Sequence, residues 1–180
     1  MLEITIPHTE YFNESTNEFI TVKAQTLQLE HSLISISKWE SKWCKPFLGK
    51  DEKTDEEVRD YIRCMTINSN VDPLVYKAIP ISTFMKIKEY INAPMTATWF
   101  SNRDHTPPSR KVITSELIYY WMIAQNIPME CEKWHLNRLF TLIRVCSEKN
   151  KPPKKMSKKQ AAAQRRSLNA QRRAANHTTG

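Results

Sequence analysis

The chain has 180 residues, enough for one folded domain with a sizeable core and an extension. Hydrophobic residues make up 40% and charged residues 26%, the balance of a soluble globular protein, and no apolar run of about 18 residues is present to span a membrane. The formal charge of +8 is unevenly spread: ten of the 27 Lys and Arg lie in residues 149–180, which hold no Asp or Glu, so residues 1–148 carry 17 cations against all 19 acids. The basic character belongs to the tail, and the body has a slight acid excess.

The N-terminus, "MLEITIPHTEYF", has neither a basic start nor an apolar signal core, so the expectation is a protein that stays where it is made. Cys44, Cys64, Cys131 and Cys146 lie far apart, with no CxxC pair, and read as reduced thiols on apolar faces. Only two glycines occur, which disfavours a turn-rich all-β fold and a Gly-rich phosphate loop.

In chain order, "LEITIP" and "EFITVKAQTLQLE" alternate apolar and polar residues at period two, and the polar "HTEYFNESTN" between them suits a loop. An N-terminal β-hairpin is expected. In "HSLISISKWESKW", Leu33, Ile36, Trp39 and Trp43 drift toward helical spacing, although "LISIS" also suits a strand. Pro46 and Gly49 then break the chain. Thr54 followed by Glu57 matches a capping box, and Val58, Tyr61, Ile62 and Met65 place one apolar face on the helix it opens. Asp72 and Pro73 start a further helical segment, and "STFMKIKEYI" a short helix that stops near Pro94. "TATWF" and "RKVIT" look like strands around the Pro-rich "SNRDHTPPS".

Two longer helices close the body. "SELIYYWMIAQN" is apolar almost all round, which implies burial on every side, and ends before Pro128. "ECEKWHLNRLFTLIRVCSEK" puts Cys131, His135, Leu139, Leu142, Ile143 and Cys146 near one stripe, and Pro152 and Pro153 stop it. Beyond Ser157, a plausible N-cap, "KKQAAAQRRSLNAQRRAAN" is rich in good helix formers. Its only large apolar residue is Leu168, so it is expected to be exposed or partner-dependent.

Little of this carries catalytic chemistry. Cys131 and His135 are spaced to share a helix face, yet zinc needs three or four ligands and no second pair stands at ligand spacing. Both read as core residues. No nucleophile motif accompanies the cysteines, and the carboxylates of "DEKTDEEVRD" are explained by a cap and a solvated helix face. The expectation is a non-enzyme without cofactor or metal. Of the five tryptophans, Trp121 and Trp134 lie in apolar helical stretches and read as core, whereas Trp39 and Trp43 are candidates for core or a protein interface. In the tail, Lys154, Lys155, Lys158, Lys159, Arg165, Arg166, Arg172 and Arg173 are candidate contacts for an anionic partner. Such a partner is a nucleic acid or an acidic protein; no interleaved aromatic, RGG repeat or base-reading module chooses between them.

Residues 113–159, "ITSELIYYWMIAQNIPMECEKWHLNRLFTLIRVCSEKNKPPKKMSKK", together with "LQLEHSLISISKWESKW", "KPFLGKDEKT" and "MTATWF", resemble small proteins from the structural gene blocks of long-tailed phages. Those proteins look like tail assembly chaperones. The resemblance implies a non-enzymatic protein of the host cytoplasm. It would bind the long, helical tape measure protein, keep it soluble, and help tail tube subunits polymerise around it. Many such chaperones are made in two lengths by a ribosomal frameshift. Homo-oligomers fit this picture and a membrane does not.

The expected architecture is α+β: a mainly helical single domain over residues 1–150 with an N-terminal β-hairpin, then a basic extension, 151–180, that is helical or disordered. The expected function is tail assembly chaperone. The alternatives are a nucleic-acid-binding protein acting through residues 151–173, and a structural virion component such as a head–tail connector.

Overall fold

Alternation in "LEITI" and "QTLQL" sends Ile4, Ile6, Leu27 and Leu29 to one face, and in the computed structural model that face is buried. The structure describes residues 1–13, 17–100, 112–151 and 157–177. Strand β1 (Leu2–Ile6) pairs antiparallel with β4 (Gln25–Leu29), Leu2 opposite Leu29 and Ile6 opposite Gln25. The hairpin is longer than the sequence suggests. Part of the expected loop, Thr9–Asn13, is strand β2, which pairs antiparallel with β3 (Glu18–Val22) as a second two-stranded sheet. Pro7, which has no N–H to give to a ladder, stands where β1 ends and β2 has not begun.

The ambiguous "LISIS" is helical. Helix α1 (Leu33–Trp43) starts at Ser32, whose Oγ accepts the Ser35 N–H, and ends at Cys44 in the left-handed region with φ 51°. It buries Leu33, Ile36 and Trp39. Helix α2 (Asp55–Met65) opens with the complete capping box: Thr54 Oγ1 accepts the Glu57 N–H, and Glu57 Oε2 accepts the Thr54 N–H at 2.8 Å. Asp72 caps a 3-10 turn over Pro73–Tyr76, and α3 (Ile81–Asn92) follows.

The stretches expected as strands around the Pro-rich segment are not strands where they are described. Residues 96–100 and 112–114 are irregular, and residues 101–111 lie outside the described residues. Helix α4 (Ser115–Ala124) is not buried on all sides, since Tyr120 is 63% and Ile123 66% exposed. Only Ser115, Ile118 and Met122 face fully inward. The last helix of the body is also corrected. A 3-10 turn over Met129–Lys133 precedes α5 (Leu136–Lys149), with a break at Trp134 and His135. The Leu136 N–H donates to the His31 carbonyl at 2.7 Å, and Ser32 and His135 form a β-bridge. A continuous helix would have kept those groups for itself.

Helix α1 packs against α2 and α4. Around it Ile6, Leu27, Leu29, Leu33, Ile36, Ile118, Met122 and Leu139 are wholly buried, so hairpin and helices share one core. The fold is α+β and mainly helical. The chain divides into two compact units, Met1–Ser147 and Glu148–Gly180. The second contains α6 (Lys158–Asn176), opened by a capping box between Ser157 and Gln160.

Candidate functional site

The expected partner contacts fall in different environments. Trp39 is 1% exposed; its indole N–H donates to the Glu57 carbonyl at 2.9 Å, and Phe47 packs edge-on at 5.2 Å between ring centres. Trp39 is therefore a core residue and presents nothing to a partner. Trp43 is half-buried, its indole N–H donating to Asp60 Oδ2 at 2.9 Å with the Lys42 ammonium 5.2 Å from the ring centre. It helps satisfy a buried carboxylate while part of its surface stays accessible.

That carboxylate belongs to a set the sequence had suggested were solvated. Glu57 is 2% and Asp60 8% exposed. Lys45 Nζ lies 2.6 Å from Glu57 Oε1, and this contact, with the Thr54 backbone N–H, holds the Glu57 carboxyl below the usual carboxylate range. Burial pushes Asp60 up, but Arg63, Lys42 and Trp43 outweigh it and leave the carboxyl below its ordinary value. Glu40 is buried too, accepting the Phe47 N–H and the Ser115 N–H at 2.7 Å each. Its charge thus sits at the N-terminus of α4, where the helix dipole favours an anion. These carboxylates hold α1, α2 and α4 together; their cations and donors are already engaged.

The histidines are likewise occupied. His31 and His135 meet edge-to-face at 5.1 Å inside the body. His135 Nε2 donates to the Tyr90 carbonyl at 3.0 Å, which fits Nδ1 accepting the Asn137 N–H at 3.3 Å. Neither ring nitrogen of His135 is left for a metal beside Cys131. No group of three or more His, Cys, Asp or Glu among the described residues is placed to hold a metal ion. Tyr90 Oη donates to Glu30 Oε1 at 2.7 Å, and the Met1 ammonium lies 2.9 Å from Glu30 Oε2. The network ties the chain start to α3 and to the entry of α5.

Several clefts open on the body, two of them bearing on its chemistry. One of about 280 Å³ is lined by Glu30, Lys38, Cys64, Ile67 and Lys133 among others. The other, of about 430 Å³, lies at Lys23, Gln25, Asn70 and Asp72. No histidine lines either, and burial pushes the Cys64 thiol up, the direction opposite to nucleophile activation.

What the body does show is apolar surface. Tyr120 and Ile123 project from α4, and Ile81 (84% exposed) and Met85 from α3, while the tilted rings of Phe12 and Phe19 meet at 5.1 Å between centres on the β2–β3 ribbon. Sequence reasoning missed these faces because apolar content alone does not separate an inward side from an outward one.

Of the tail candidates, Lys154 and Lys155 lie outside the described residues. Lys158, Lys159, Arg165, Arg166, Arg172 and Arg173 all stand on α6, which buries none of its residues. At 100° per residue the six occupy one arc of about 140°. The opposite side holds Ala, Gln, Ser and Leu168. The signal that would have shown this face is a seven-residue recurrence, "KKQAAAQ", "RRSLNAQ", "RRAANHT".

Comparison with family models, curated proteins and solved structures found no match to the chain.

Proposed function

We propose that this protein is a tail assembly chaperone of a long-tailed phage, acting without catalysis or cofactor in the host cytoplasm. It binds the tape measure protein through the apolar surface of the body and helps tail tube subunits assemble around it. The resemblance of residues 113–159 to that family, a stretch that includes α4 and α5, supports the reading. The observation that carries it is the segregation of two kinds of docking surface. The body, nearly neutral overall, exposes Tyr120, Ile123, Ile81 and Met85, while residues 149–180 carry ten cations and no acid. Apolar side chains such as these cover an aggregation-prone helix. The extension then attracts an acidic partner through a contact that weakens with salt and is easily released.

Pull-downs with the tape measure and tail tube proteins test this, using three chains: the full chain, one ending at Glu148, and the double variant Tyr120→Ser, Ile123→Ser. The full chain is expected to capture and solubilise the tape measure protein. The shortened chain keeps that capture but loses its salt-sensitive component, and the double variant loses apolar capture. Recovery of nuclease-sensitive material alone, with no tail protein, overturns the reading. It would favour the nucleic-acid alternative that the same basic charge suggests.

A further inference from the structure

The basic face of α6 is ordered beyond what net charge requires. Its cations stand as Lys158–Lys159, Arg165–Arg166 and Arg172–Arg173, three pairs repeated every seven residues, or about every 10.5 Å along the helix. No two of them are three or four residues apart, so the spacing avoids the like-charge neighbours that unwind an isolated helix. The helix is thus preformed, capped at Ser157, and exposed along its length.

The seven-residue period extends to the uncharged side. Ala161, Leu168 and Ala175 recur at one position, and Ser157, Gln164 and Gln171 recur four residues ahead of them. Together they form a narrow seam of small or neutral side chains, the arrangement of the two inner positions of a heptad. Against that seam the two basic rows are not equivalent. Lys158, Arg165 and Arg172 flank it at about 80°, and Lys159, Arg166 and Arg173 point about 180° away. The other flank, Gln160, Ser167 and Ala174, is neutral.

We propose that α6 docks as one strand of a coiled coil against an acidic helix of another protein, Lys158, Arg165 and Arg172 pairing with carboxylates that recur every seven residues. This deepens, and rests on, the reading of the extension as a hook for an acidic protein. A phosphate backbone is the weaker fit. Duplex DNA presents a charge about every 3.4 Å along each strand, so any clustering of cations serves it and a heptad period adds nothing. An acidic helix with heptad carboxylates repeats at the same interval of about 10.5 Å as the flanking row. The polar seam buries little apolar area, so binding depends on the charge row and reverses readily.

The test uses the full-length protein and two variants of equal charge and composition: K158Q/R165Q/R172Q in the flanking row, and K159Q/R166Q/R173Q in the outward row. Glutamine keeps helix propensity in both. The probes are a synthetic helix of about four heptads with an Ala/Leu seam flanked by Glu, a scrambled peptide of the same composition, and a duplex RNA. The expected result is binding to the heptad helix at least about tenfold tighter than to the scramble. The flanking-row variant should lose about tenfold and the outward-row variant less than about threefold. Equal binding to the scramble, equal losses from both rows, tighter binding to the RNA, or no binding to the heptad helix each overturns the proposal. None of these outcomes touches the capture of the tape measure protein by the body, so the two readings fail separately.

Discussion

His31 lies inside the body, where its proton affinity ties stability to pH. It is 3% exposed, hydrogen-bonded through Nδ1 to Tyr61 Oη and set against His135. Burial, and then the neighbouring His135, lower its pKa from the ordinary 6.5 to about 4. The unfolded chain therefore takes up this proton near pH 6.5, and the folded chain resists it until about pH 4. The stability tied to a neutral His31 is complete above that upper value and is lost as pH falls through the window. The loss is on the order of 3 kcal/mol. Glu57 and Asp60, held below the ordinary carboxylate values, lose their contribution only at lower pH. Thermal unfolding followed from pH 7 downward should show a falling Tm across about 6.5 to 4, and His31→Gln should flatten that slope. A Tm that stays level across the window contradicts a buried, neutral His31.

Among the elements, α5 shows how finely the packing grades positions that look equivalent in the sequence. Leu139 and Leu142 both belong to its apolar stripe, but Leu139 is 0% exposed whereas Leu142 is only half-buried at the edge of the core. Leu139→Ala leaves a cavity among side chains that cannot close around it and should cost about 2–5 kcal/mol. Leu142→Ala loses less buried area and has solvent beside it, so roughly half that cost or less is expected. Chemical denaturation of the two variants measures the difference; equal costs would mean that α5 turns a different face to the core. The split before α5 has the same origin. The Leu136 N–H is taken by the His31 carbonyl, and α5 begins six residues later than the helix its composition alone would dictate from Glu130.

For the whole molecule the division into two units sets the expectation. The core lies within Met1–Ser147, and α6 buries none of its residues. A chain ending at Glu148 should therefore unfold with the same Tm and the same cooperativity as the full chain, within about 2 °C. Its net charge changes from +8 to −2, because the ten removed cations are offset by no acid. At about 0.15 M salt the field of those cations is screened beyond about 8 Å. A large drop in Tm on truncation would show that the extension contributes to the core.

Several features needed nothing beyond the sequence. Thr54 with Glu57, Asp72 with Pro73, and Ser157 ahead of an Ala-rich run are local devices whose partners stand within a few residues, so their caps could be read directly. The apolar stripe of α2 and the concentration of charge in the tail were equally legible, and so was the seven-residue recurrence in α6, which composition alone conceals. The rest was decided by contacts distant in sequence. Strand β2 looks like a loop because its sequence is largely polar, and it becomes a strand through cross-strand pairing with β3, which sets Phe12 against Phe19. Trp39 became core, and Glu40, Glu57 and Asp60 became buried anchors, because partners as far apart as Lys42, Lys45 and Ser115 converge on them. The outward faces of α3 and α4 are also tertiary facts. Apolar residues state how much surface a helix would hide, and only the neighbours packed around it determine which part stays uncovered.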